Sequence, residues 1–171
     1  MNIFLGKFFG RFLPLLGSVL LAGSAPWWVG MFLEKTETIT VPADSTNGIP
    51  WKNYENRSVI VKYDATKQTN RWLAIPEKID NPLIPDEAKG YLSPNGAPNF
   101  KPNLTVCAQV PLGALVVIEK TVSECKAYSA QGSFRVNPGE EVYFMMNDVN
   151  DVNMYDNNQG TIEVKLTIPR I

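Results

Sequence analysis

The chain has 171 residues, 44% of them hydrophobic, with 16 basic and 17 acidic side chains and a net charge of -1. That is apolar content enough for one domain with its own core, and the balanced charge excludes a phosphate-tracking surface and hence nucleic acid as a partner. Histidine is absent, which removes the commonest general base, the Ser-His and Cys-His nucleophile pairs and most zinc sites, so the chain reads as no enzyme.

Lys7 and Arg11 precede an uncharged run from Phe12 to Leu33, and Glu34 and Lys35 come directly after it. A helix of about 20 apolar residues crosses the hydrocarbon core. Residues 1–35 therefore read as an N-terminal membrane anchor, one transmembrane helix with its basic residues on the cytoplasmic side and Trp27 and Trp28 at the far interface. The same segment also fits a signal peptide, with Phe12 to Ala22 as its apolar stretch and Gly23, Ser24 and Ala25 as the cleavage region, although Pro26 is unfavourable there. In either case the positive-inside rule puts the residues after Lys35 on the periplasmic or extracellular side.

Residues 36–171 carry short β-branched and aromatic runs among many of the chain's 13 prolines and 12 glycines. TETITV (36–41), RSVIVKYDA (57–65) and TIEVKLTI (161–168) alternate with period two, while ALVVIEK (114–120) and EEVYFMM (140–146) are continuous apolar runs. Strands at this spacing, with ADSTNG, SPNG and NPGE as turns, predict an all-β domain, a jelly-roll-like β-sandwich. Between them, 71–111 is rich in proline and lacks a clean period, and reads as a long irregular excursion; such loops are either functional or plain surface flaps. Cys107 and Cys125 flank ALVVIEK, and would bridge in an oxidising compartment if their Cα atoms lie within about 7 Å. The triplets Asn56-Arg57-Ser58 and Asn103-Leu104-Thr105 match the glycosylation pattern, which recurs often by chance.

Eight of the fourteen residues from Asn147 to Gly160 are Asn or Asp. Such residues populate turns because they tolerate left-handed backbone angles and bond their own main chain. They also supply the hard oxygens that calcium takes six to eight at a time. A helix-loop-helix calcium frame does not fit: neither Asp148 nor Asp151 starts a frame with Gly at the sixth position and Glu at the twelfth.

The stretches LGALVVIE (112–119), FRVNPGEEVYFMMND (134–148) and YDNNQGTIEV (155–164), with NGIPWKNYENRSVIVKYDA (47–65) upstream, together resemble the PA-I galactophilic lectin family of calcium-dependent β-sandwich domains. The resemblance covers most of residues 36–168 and is strongest in the last 60. It implies a calcium held by the Asp148 carboxylate, the Asn157 and Asn158 amides, and two backbone carbonyls, one from Met154 and one from about Asn70. The stretch between Asp148 and Tyr155 is about two residues longer than in the family, which leaves Asp151 as a rival carboxylate. The family's second sugar-contacting loop, with its His and Gln, corresponds to GYLSPNGAPNF, which has no His.

The expected function is a non-enzymatic, membrane-anchored accessory or scaffold subunit whose calcium-binding, lectin-like domain lies outside the cytoplasm, held by residues 12–33 and belonging to an integral inner-membrane complex. Small residues at Gly17, Ser18, Ala22, Gly23, Ser24 and Ala25 would let another helix pack closely. The alternative is a calcium-dependent binder of galactose-type carbohydrate.

Overall fold

The computed structural model describes residues 34–119, 125–149 and 157–169. The expected transmembrane helix over 12–33 lies outside them, as do Asp151 and Met154; among the described residues no helix is long and apolar enough to cross a membrane. The described chain is all-β.

Ten strands run in the order β1 (Glu34–Pro42), β2 (Ile49–Lys52), β3 (Val59–Asp64), β4 (Arg71–Ile75), β5 (Gly90–Leu92), β6 (Leu115–Ile118), β7 (Cys125–Tyr128), β8 (Gln131–Val136), β9 (Glu141–Met146) and β10 (Gln159–Pro169). One sheet has the order β5-β4-β10-β3-β8 with β1 also on β10, and the second has the order β2-β9-β6-β7; every strand pairing in both is antiparallel.

Period-two sequences became strands with one buried face. Val59, Val61 and Tyr63 of β3 point inward, as do Ile162, Val164, Leu166 and Ile168 of β10, while the residues between them are exposed or only partly buried. They share one core with Leu115, Val117, Val142, Phe144 and Met146 of the second sheet. Phe144 sets its ring edge-on against both Tyr63 and Phe134, with centroids 6.3 and 5.8 Å away. The continuous runs have a different cause. The other face of the second sheet is also covered, by a small cluster in which Cys107 and Val110 pack on Ala114, Val116 and Met145. A strand buried on both faces has no solvent side to make polar.

The stretch 71–111 is not the wholly irregular excursion that its prolines suggest. Its first five residues form β4, which inserts Trp72 and Ala74 into the core, and Gly90–Leu92 form β5 at the sheet's edge. Each is too short to show a period, and Pro76 ends the first. β2 was hidden for a related reason: it contains Pro50, tolerated because β2 is an edge strand.

β10 organises the first sheet. β1 pairs with it from Thr161 to Pro169, β4 with Gln159–Thr161 and β3 with Lys165–Thr167. Between the β4 and β3 pairings the ladder is interrupted at Glu163. Asn70 fills the break: its side-chain amide donates to the Glu163 carbonyl at 2.7 Å, and its Oδ1 accepts the Glu163 N–H at 3.0 Å. The side chain replaces a missing stretch of strand backbone.

Candidate metal centre

Asp148 lies just past the end of β9 and Asn158 precedes the start of β10, so the two strands deliver them to the same place. Both side chains are buried, 4% and 5% exposed. Asn158 Nδ2 donates to Asp148 Oδ2 at 2.8 Å and lies 3.3 Å from the Ala43 carbonyl; Asp148 Oδ1 accepts the Val149 N–H at 2.7 Å. Asn158 Oδ1 is buried with no hydrogen-bond partner. Burial holds the Asp148 carboxyl above its ordinary range, against the pull of the Asn158 amide and the Val149 N–H.

A buried carboxylate beside an unpartnered amide oxygen is costly to leave as it stands. A carboxylate and an unpartnered amide oxygen on adjoining side chains are the kind of oxygens a hard cation takes, and an ion bound there would neutralise the one and satisfy the other. Asn157, the residue before Asn158, is exposed and lines the same pocket as Asp148. No three His, Cys, Asp or Glu side chains converge among the described residues. The donor set here is one carboxylate with neutral amides, and it fits calcium rather than a soft or imidazole-seeking metal.

Asp148, Asn157 and Asn158 are thus brought to one place. The Asn70 side chain bonds Ala65 and Glu163; its main chain, from which the expected carbonyl would come, adjoins Arg71, which pairs with Thr161, three residues along β10 from Asn158 and about 10 Å away at the usual strand rise. Continuing the β4–β10 register from Gln159↔Leu73 sets Asn157 opposite Ile75. The strand backbone beside the site is therefore the end of β4.

The pocket next to Asp148 has a volume of about 220 Å³, and Ile75, Pro76, Ile79, Ile84, Phe100 and Pro102 line it. All six come from the proline-rich stretch. Sequence reasoning read that stretch as a functional loop or a plain surface flap, and the lectin resemblance matched the segment ending at Phe100 to a sugar-contacting loop, but neither singled out these apolar walls; the available signal was a long proline-rich segment bearing isolated large apolar residues. Leu83 and Leu104, 83% and 76% exposed, are chain neighbours of these walls.

Asn147 was also missed. It is fully buried, and its Oδ1 accepts the Cys107 N–H at 2.8 Å while its Nδ2 lies 3.2, 3.0 and 3.1 Å from the carbonyls of Cys107, Val110 and Pro111. Cys107 is disulfide-bonded to Cys125, with Cα atoms 6.0 Å apart. No protein-family model matches this chain, and no curated protein matches it at a significant level of similarity.

Proposed function

We propose that the domain is a non-enzymatic calcium-binding β-sandwich of the PA-I galactophilic lectin type, working outside the cytoplasm as an accessory subunit that residues 12–33 hold to a membrane. The buried Asp148 carboxylate beside the orphaned Asn158 Oδ1 is the observation that carries the metal reading. Asp148, Asn157 and Asn158 would hold the ion. Bound there, calcium would draw on the oxygens of an incoming ligand. The Cys107–Cys125 disulfide agrees with an oxidising compartment.

The accessory role is favoured over sugar capture by the walls of the pocket. A saccharide asks for several convergent donors and acceptors, whereas this pocket offers isoleucine, proline and phenylalanine around Asp148 and Asn157. These walls suit the apolar side chains of a protein partner. The carbohydrate alternative draws on Asn157, exposed at the rim where a vicinal diol could complete the ion's shell.

Two measurements test this reading. The chain should fractionate with membranes and resist carbonate extraction, and calcium at a hundredfold excess over Kd should add about 2.7 kcal/mol of stability. Recovery of a soluble chain beginning near Ala25 or Pro26 would remove the anchor. Identical melting curves in millimolar calcium and in chelator would remove the metal.

A further inference from the structure

The segment from Phe100 to Leu112 has almost no regular structure of its own. It nevertheless supplies Phe100, Pro102 and Leu112 to the pocket beside Asp148, and it covers the outer face of the second sheet through Cys107 and Val110. Two devices fasten it. One is the disulfide, which ties Cys107 to Cys125 at the start of β7. The other is the Asn147 side chain, whose contacts with Cys107, Val110 and Pro111 hold the turn at those residues.

The same segment holds the backbone that carries the candidate ligand. The Asp148 carbonyl accepts the Val106 N–H at 2.9 Å, and Thr105 forms an isolated antiparallel bridge with Val149. The Asn147 carbonyl accepts the Gly113 N–H, and its N–H donates to the Ala114 carbonyl, both at 2.7 Å. Asp148 is therefore fixed from one side by β9 and from the other by a segment that depends on Cys107. Moving a carboxylate by even an ångström matters to a cation that needs its oxygens at about 2.3 to 2.6 Å.

We infer that the Cys107–Cys125 disulfide and Asn147 act as one clamp that positions Asp148, so that the redox state of this disulfide sets the cation affinity of the site. The inference rests on the calcium reading of Asp148, Asn157 and Asn158. Reduction breaks the S–S bond and leaves two thiols; a dithiol such as dithiothreitol supplies the two electrons and two protons and closes to its own cyclic disulfide. Once freed, Cys107 holds its segment only through Asn147 and the small apolar cluster, and the Val106–Asp148 bond loses its backing.

The test compares the full-length chain in detergent, oxidised and after dithiothreitol, by calcium titration and by amide hydrogen exchange without metal. Reduction should weaken calcium binding at least tenfold, reversibly on reoxidation. It should speed exchange at Val106, Cys107 and Val149 at least tenfold while β3 amides stay protected. Equal exchange at those amides in both forms would overturn the clamp, as would calcium affinity indifferent to reduction. Loss of β3 protection on reduction would also overturn it, because the bond would then support the whole fold and not the site. If neither form takes up calcium, the metal reading fails by itself, and the exchange comparison still decides whether the disulfide positions Asp148.

Discussion

Asn158 donates its side-chain N–H to the Asp148 carboxylate at 2.8 Å, across ten residues of chain, and leaves its own Oδ1 unpartnered in the protein interior. An amide that donates to a buried carboxylate while its own oxygen goes unused is the observation on which the calcium proposal rests. The pair also makes the domain's stability depend on what neutralises Asp148.

The first prediction concerns that charge. Burial raises the Asp148 carboxyl above its ordinary value of 3.8, so the folded state keeps this proton to a higher pH than the unfolded chain does. The associated stability is fully present below the unfolded pKa and is lost as pH rises through the raised folded value. Without metal at pH 7, Asp148→Asn should then raise the melting midpoint by a few degrees, because burial disfavours the charge more than its bonds from Asn158 and Val149 favour it. In millimolar calcium the order should reverse, since only the wild type gains from the ion. Asp151→Asn should weaken calcium less than Asp148→Asn. Melting curves in chelator and in calcium decide the matter; a variant less stable in both would show Asp148 to be an ordinary hydrogen-bonded carboxylate.

Asn70→Ala should be strongly destabilising and yet leave calcium affinity alone. It strips partners from the Glu163 N–H and carbonyl in the middle of β10. Each backbone group left unsatisfied costs about 1–3 kcal/mol, giving an expected loss of about 2–6 kcal/mol in urea unfolding. Unchanged stability would mean that the Asn70 side chain does not hold the break in the β10 ladder.

Tyr63→Phe should stabilise the domain. The Tyr63 hydroxyl is buried with no hydrogen-bond partner, and burial pushes its pKa up to about 12. Deleting an unsatisfied polar group while keeping the ring's contacts with Phe134 and Phe144 should contribute about 1 kcal/mol. The wild type should also lose stability as pH rises from about 10 toward 12, where the unfolded tyrosine ionises first. The variant's alkaline transition should be flatter, and superimposable alkaline curves would mean that Tyr63 does not govern it.

Galactose should give no saturable heat in calorimetric titration at millimolar concentration in calcium. Isoleucine, proline and phenylalanine walls cannot supply the hydrogen bonds that hydroxyl-rich ligands lose on leaving water. A clear binding isotherm would make the carbohydrate reading the better one.

The sequence by itself determined the all-β class and the positions of β1, β3, β6, β9 and β10, because a strand with one wet face must alternate and a strand with two covered faces must run apolar. The crowd of Asn and Asp between β9 and β10 was also visible without coordinates, but only the resemblance to the PA-I galactophilic lectin family singled out Asp148, Asn157 and Asn158 among them. Tertiary structure alone decided the rest. Whether Cys107 meets Cys125 depends on how the 100–112 segment folds back over the second sheet. The role of Asn70 depends on a break in the ladder where β10 passes from β4 to β3, two consecutive strands far from β10 in the chain. The apolar walls of the pocket are scattered from Ile75 to Pro102 with no period, and they meet Asn157 where β4 pairs with the start of β10. Local pattern records what each residue faces on average; which residues face one another is fixed by register and long-range packing, and no window of sequence contains both partners.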